Sequence, residues 1–502
     1  MSVSPDIVII GSGMGGATIA AGLARSGARI LILERGQSIA DTPETRDPRA
    51  IFQRGHYRSK EQWHDQHGNP FNPGNYYFVG GNTKLYGAVL IRYRKEDFGD
   101  LEHDGGVSPA WPFPYEELEP WYGKAEALYC VRGALGDDPT EPHHSTQFPF
   151  PPVPDEPPIA RARAELKAQG LHPFSLPLGV DYATWLKRAS TGWDAFPDTR
   201  TGKMDAETCG LAAALKDPNI TLETGADVTR LETDASGKRI NAVLYRKDGA
   251  EHRATPRLVI LSAGAVMSAV LLLRSADQKN PNGLANKSDQ VGRHFMNHNT
   301  SAVLAIDPRR RNTCVYQKTI GFNDFYLSDG NGGKPLGNVQ LLGRVLGSIL
   351  KGTIKWAPEW ALSIMSGHAI DWYAMSEDLP NPDSRIRVKG NDIILDWQRS
   401  NMGPHHRLVV KMKEIFRAAG YPIVLSRPFD RKVVSHQCGT VRMGDDPAKA
   451  ALDPYCRAFD HPNLFVMDAG FLPNSAAVNP SLTVAAQALR VADHIRHQDL
   501  HV

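Results

Sequence analysis

Residues 6–36 read DIVIIGSGMGGATIAAGLARSGARILILERG, and this stretch decides the fold. Asp6-Ile7-Val8-Ile9-Ile10 is apolar on both faces, as a buried parallel strand must be, and residues 28–33 repeat that character. Between them Ala17, Ala20, Ala21, Leu23 and Ala24 predict a short helix with small residues toward the sheet, so the whole is a βαβ unit. Gly11-Ser12-Gly13-Met14-Gly15-Gly16 occupies the turn from strand to helix, and Glu34 closes the second strand 18 residues after Gly16. Each position has a mechanical reason. Gly11 permits the tight turn, Gly13 lets the backbone approach a pyrophosphate, and Gly16 allows close packing of helix on strand. The helix start offers N–H groups to the anion, and Glu34 can take the ribose hydroxyls. The unit predicts a Rossmann-like dinucleotide site.

The glycines alone do not separate NAD from FAD. Two features favour FAD: Glu34-Arg35-Gly36 at the end of the second strand, and a distant apolar run, Leu464-Phe465-Val466-Met467, that ends in Asp468-Ala469. A long dinucleotide carrying an isoalloxazine needs contacts from remote segments, and an acid at such a strand end can hold its ribityl or pyrophosphate part. The plainer role for Asp468 is a turn or cap.

The chain has 502 residues, and 57 Lys+Arg against 55 Asp+Glu leave a formal charge of +2. At roughly 100–200 residues per domain this length allows about two to four folding units and a large core. A disulfide-stapled miniature is excluded. Near-neutral charge argues against a nucleic-acid binder, whose affinity comes from an excess of Lys and Arg. Cys130, Cys209, Cys314, Cys438 and Cys456 are widely spaced and never in a C-x-x-C pair, so neither a disulfide framework nor a zinc ribbon is expected. Met1 to Pro5 carry no cationic leader, no apolar run approaches about 18 residues, and a cytoplasmic protein without a membrane span is expected.

Further along, residues 37–75 are polar, without clear period, and read as a long surface excursion. The run FPFPPVPDEPP at 148–158 reads as a stiff connector. Residues 219–275 alternate short strands with turns and then enter an apolar helix, a second α/β segment. Residues 300–430 carry strand-like runs joined by Gly, Asn and Asp turns, which predicts antiparallel sheet. Within them Val345, Leu346, Ile349, Leu350, Trp356, Trp360 and Ile364 recur at helical spacing; core or subunit packing is expected ahead of a membrane-surface helix. The C-terminal part returns to strand (464–467) and helix (480–495), so both chain ends belong to one α/β domain.

Together these segments resemble the glucose-methanol-choline (GMC) family of FAD-dependent oxidoreductases. The resemblance rests on residues 6–36; on Gly80-Gly81-Asn82-Thr83-Lys84-Leu85-Tyr86-Gly87-Ala88 with Arg92; on Trp111-Pro112-Phe113-Pro114-Tyr115; on 220–231; on Ser262-Ala263-Gly264-Ala265; on Val291-Gly292-Arg293 to His298; and on 435–495. It covers well over half of the chain, and residues 125–200 and 300–425 match only loosely. It implies an α/β fold, α+β overall, with an FAD-binding domain built from discontinuous segments (1–125, 201–298, 431–502) and a substrate domain with a mostly antiparallel sheet (126–200, 299–430). It implies that the loop holding Gly80, Gly81, Asn82, Tyr86, Gly87 and Ala88 wraps the flavin, with Val228 at the adenine and Ala263 beside the adenosine half. Thr83 and Tyr86 depart from the Ser and Asn usual in that loop. Leu85 stands where members with a covalently attached flavin carry histidine, so dissociable FAD is expected.

The chemistry falls on Ser435-His436-Gln437-Cys438-Gly439-Thr440-Val441-Arg442-Met443-Gly444 and on Val478-Asn479-Pro480-Ser481-Leu482-Thr483. Oxidising an alcohol requires its hydroxyl proton to leave as hydride leaves carbon. A neutral imidazole suits the proton acceptor and an amide can hold the same oxygen. His436 and Asn479 fit these roles, and the family's His-Asn pair falls on them. Asn479 before Pro480 also reads as a helix start, with Asn as N-cap and Pro at N1. Such a helix aims its positive end at the flavin, which adds Pro480 and Thr483 to the cofactor residues, alongside Arg35, Asp468 and Ala469. Cys438 reads as packing, and His143-His144 and His405-His406 lack the spacing of metal ligands, so no metal is expected.

The expected function is oxidation of an alcohol, a sugar or glycoside hydroxyl, to a carbonyl, with the electron acceptor (oxygen, quinone or a protein) and any homo-oligomer left open. The alternatives are an FAD-binding lyase of the same fold and the catalytic subunit of a membrane-linked dehydrogenase. A nicotinamide enzyme is the third, and a colourless protein would point to it.

Overall fold

The computed structural model describes residues 4–188, 195–197, 199, 202–430 and 436–502; Met1, the expected boundary at 200/201, residue 431 and Ser435 lie outside the described residues. A five-stranded parallel sheet forms the base of the cofactor part. Its order is Leu464–Val466, Leu258–Leu261, Ile7–Ile10, Ile30–Glu34, Ile220–Thr224. Ile7 pairs with both Leu258 and Ile30. Apart from Glu34, the central strands are β-branched or Leu and largely buried on both faces, which requires cover on each side. The helix Met14–Leu23 supplies part of it and packs on the C-terminal helix Ser481–Ile495. Their approach is close: a Cβ at Gly22 would lie 2.6 Å from that of Ala492. The strands at 220–224 and 258–261 thus join the first sheet, while Asp227–Thr233, Ile240–Lys247 and Ala250–Ala254 form a small antiparallel sheet beside it.

The second part is a six-stranded, wholly antiparallel sheet. Its order is Ile423–Pro428, Asn299–Ile306, Ala369–Ser376, Asn338–Leu341, Ile320–Phe322, Phe174–Ser175. The helix Met402–Ala418 closes one face, with Phe416 stacked on Trp372 at 4.8 Å between ring centres.

Three expectations change. The excursion at 37–75 is not without structure: it contributes the strands Trp63–Asp65 and Pro70–Phe71, and the first pairs in parallel with Asp392–Asp396 of the hairpin 385–396. The proline connector ends earlier than read, because the helix Pro157–Lys167 uses Pro157 and Pro158 in its first turn, where a missing N–H costs nothing. The helical spacing at 345–364 splits into the helices Gly347–Lys351 and Glu359–Ser366. Val345 and Ile349 are buried there, whereas Trp356 (88% exposed), Trp360 (69%) and Ile364 (60%) face outward. Among the described residues no helix is long and apolar enough to cross a membrane, and all five cysteines are free thiols.

Candidate active site

A cavity of about 520 Å³ opens at the C-terminal ends of the parallel strands. It begins at Glu34, Arg35 and Val228, passes Gly11, Gly13 and Met14, and ends at Gly81, Asn82, His436 and Pro480. The glycines shape it in two ways. Gly11 has φ +100°, and a Cβ there would sit 2.2 Å from the Ser262 carbonyl oxygen. Gly16 packs on Gly11, with 2.0 Å from a Cβ to its oxygen, and Gly15 packs on Met467 at 1.8 Å. Gly13 differs. A Cβ there would meet only the Gly81 Cα, at 4.0 Å, because the space before it is the cavity. Gly15 is a packing residue that the glycine pattern treats as free.

Glu34 is buried, and its carboxylate accepts from the Ser12 amide (3.0 Å), the Ser12 hydroxyl (2.7 Å) and the Gly36 amide (2.8 Å). Burial nevertheless pushes its carboxyl above the ordinary range. A carboxylate has about four acceptor sites, so one remains for a ribose hydroxyl. Ser12 is not a wall residue: its hydroxyl joins Glu34 to the Gly80 amide, 3.0 Å away. Arg35 lies 4.4 Å over the Tyr77 ring. The helix Met14–Leu23 has no side-chain cap and no acid in its first turn, which leaves its positive end toward the cavity. Ala263, Asp468 and Ala469 line the wall further on. The Asp468 carboxylate binds the Ser268 hydroxyl and the Gly264 and Gly470 amides, and burial raises it to about 6. It fastens two loops of the cavity together.

In the loop after Gly80, Gly81, Asn82 and Thr83 reach the cavity, while Gly80, Tyr86, Gly87 and Ala88 lie behind the wall. The loop is tied from the rear. The Tyr86 hydroxyl donates to the Met204 carbonyl (2.6 Å), the Thr83 hydroxyl donates to the Gly80 carbonyl (2.5 Å), and the Ala88 carbonyl accepts from Gly179. Lys84, fully buried, reaches Glu207 at 2.7 Å and Asp205 at 2.8 Å. Removing one member of a buried charge cluster strands the others in low dielectric. Lys84→Met should therefore lose about 3–5 kcal/mol of stability, read as an earlier denaturant midpoint. A midpoint equal to the parent's would refute the cluster's role.

At the far end stand His436 and Asn479. The Asn479 side-chain nitrogen lies 3.4 Å from His436 Nε2, and its oxygen accepts from Gln340 at 3.1 Å. Gln340 belongs to the antiparallel sheet, so the second part of the fold orients a residue of the first. The amide of Asn479 does not cap the following helix, which starts one residue later than the sequence suggests, at Ser481. Pro480, Ser481 and Val484 line the cavity; Thr483 does not, its buried hydroxyl paired with that of Tyr122 at 2.7 Å. His436 Nδ1 lies 2.8 Å from Nδ1 of His298. Burial, with His298 and Lys318 nearby, holds His436 far below its ordinary pKa, so the ring is neutral. Sequence reading missed Gln340 and His298: Gln340 has no local signal, and His298 was seen only as the end of a resembling segment.

A long cavity that reaches the neutral imidazole of His436, with the Asn479 amide just behind its wall, fits an oxidoreductase of the flavin type acting on CH–OH groups. Models described as GMC oxidoreductase match residues 183–300 and 384–488, and one described as NAD(P)-binding Rossmann-like domain matches residues 9–60. The chain is 29% identical to 6'''-hydroxyparomomycin C oxidase of Streptomyces lividus, over 98% of this chain and 92% of that one. It is also 29% identical to paromamine 6'-oxidase of Streptomyces fradiae, over 97% and 90%. Among solved structures, pyridoxine 4-oxidase from Mesorbium loti superposes with a TM-score of 0.68 at 20% identity, covering 98% of this chain and 99% of that one, a likeness of fold. The chain belongs to the GMC oxidoreductases and is an FAD-dependent enzyme that oxidises an alcohol to a carbonyl.

Proposed function

We propose that the enzyme oxidises a hydroxyl of a sugar or glycoside, with His436 as the base, Asn479 as the group that holds the reacting oxygen, and FAD bound without a covalent link. One observation carries the assignment of roles: a side-chain N–H of Asn479 and the Nε2 of His436 converge at 3.4 Å at the end of the dinucleotide cavity. A hydroxyl oxygen at that point accepts from Asn479 and gives its proton to His436. Gln340 keeps the Asn479 amide facing the right way by occupying its oxygen. Gly11, Gly13 and Met14 would hold the pyrophosphate, Glu34 the ribose and Val228 the adenine. FAD, when bound, supplies the hydride acceptor at N5. The two aminoglycoside-type oxidases among its relatives, by their names, support a glycoside substrate.

The test is anaerobic mixing of the yellow protein with D-glucose, methyl β-D-glucoside, benzyl alcohol, choline and cholesterol in turn. Bleaching by the sugars alone is expected; bleaching only by another class would overturn the substrate. The rate of recovery in air then separates oxygen from other acceptors. Leu85 is buried in the flavin loop and offers no nucleophile, so acid precipitation should leave the yellow colour in solution. A yellow pellet would contradict the non-covalent link.

A further inference from the structure

Met296 and Cys438 exchange both of their backbone hydrogen bonds, at 3.0 Å each, as an antiparallel pair. Counting two residues outward on each strand places His298 directly opposite His436, and their Nδ1 atoms meet at 2.8 Å. The other nitrogen of His298, Nε2, lies 2.8 Å from the Ser475 carbonyl oxygen, which also accepts from the Tyr93 hydroxyl at 3.1 Å.

A carbonyl oxygen only accepts, so His298 Nε2 carries a hydrogen. His298 is buried, and burial lowers its pKa to about 4, leaving the ring neutral with a single N–H. Its Nδ1 is therefore a bare acceptor. The hydrogen between the two rings belongs to His436 Nδ1, and His436, itself neutral, is bare at Nε2, the nitrogen that faces Asn479. Of the charged groups around the pair, Lys318 opposes charge on His436, while Glu377 favours charge on His298 and is outweighed by burial.

We infer that His298 is a positioning residue of the reaction: anchored by the Ser475 carbonyl, it fixes the tautomer of His436 so that the proton-free nitrogen faces the substrate. This rests on the reading of His436 as the base. When His436 Nε2 receives the hydroxyl proton, its Nδ1–H stays on His298, and no proton leaves the pair. Without an acceptor at 298, His436 could carry its hydrogen on Nε2 and be unable to accept.

Nitrogen NMR of the holoenzyme labelled in histidine tests the tautomers directly, with the His436 signals identified by their loss in His436→Gln. Protonated Nδ1 and bare Nε2 on His436, and the reverse on His298, are expected; hydrogen on His436 Nε2 overturns the inference. Two variants add a kinetic reading, each reduced anaerobically by the fastest alcohol of the panel above. His298→Leu, which removes the acceptor, should slow reduction on the order of 10²-fold with KM unchanged. His298→Asn, whose side-chain oxygen can take the place of Nδ1, should stay within about 10-fold of the parent. Equal rates for the Leu variant and the parent would sink the inference alone, whereas a fully active His436→Ala would sink the base assignment beneath it. If the Leu variant does not fold, the NMR result decides.

Discussion

His436→Ala should reduce its flavin about 10³-fold more slowly than the parent, within the range of about 10²–10⁴ that a positioned general base supplies. It should still purify yellow, because most of the cavity wall, including Glu34, Gly11, Gly13 and Val228, comes from other segments. The pH dependence of the parent gives a second reading. Burial, reinforced by His298 and Lys318, lowers the pKa of His436. A lowered pKa keeps the base unprotonated to lower pH, so the reduction rate should be nearly flat between about pH 7.5 and 6, where an ordinary histidine (pKa near 6.5) would lose more than half of its basic form. Stopped-flow reduction across that interval measures it. A half-loss near pH 6.5 would show a solvated, unperturbed imidazole and remove the argument from burial.

The second large effect separates two neighbouring glycines. Gly13→Ala has ordinary φ (−68°) and room for its methyl group, but that room is the part of the cavity proposed for the pyrophosphate. The variant should fold with the thermal stability of the apoprotein and bind FAD about 10²-fold more weakly, the equivalent of about 1–3 kcal/mol of overpacking. Gly15→Ala drives its methyl into the Met467 carbonyl at 1.8 Å, where backbone meets backbone and nothing can swing aside. It should give little soluble protein. Titration of FAD into the Gly13 variant and the soluble yield of the Gly15 variant test the two together. A Gly13 variant that binds FAD as tightly as the parent would mean that the cavity before Gly13 is not where the pyrophosphate lies.

What was legible in the sequence was what is local. The βαβ unit is read from residues 6–36 because its strands, turn and acid lie within one short stretch, and each has a distinct pattern. His436 and Asn479 were named from side-chain chemistry and resemblance, and the structure brings them together from two segments. What escaped depends on register and distance. The pairing of Trp63–Asp65 with Asp392–Asp396 joins segments over 300 residues apart, so the polar excursion looked unpaired. Nothing beside Lys84 in the sequence announces Asp205 and Glu207, which lie more than 120 residues further on. Thr483 follows Asn479 closely, yet one turn of helix swings its hydroxyl to Tyr122.

The order of strands in the parallel sheet bears on how the protein is made. Its neighbours come from residues 464–466, 258–261, 7–10, 30–34 and 220–224. A ribosome must therefore deliver residues 7 through 466 before the last strand can dock, and the helix that brings Ser481 and Val484 to the cavity emerges later still. Until then the sheet ends at Leu258–Leu261, whose outer edge lacks its partner, and the face that the C-terminal helix will cover is open, a natural client for chaperones during synthesis. A nascent chain stalled before residue 464 should be digested readily by protease, and the protein should acquire resistance and colour together, late, rather than domain by domain.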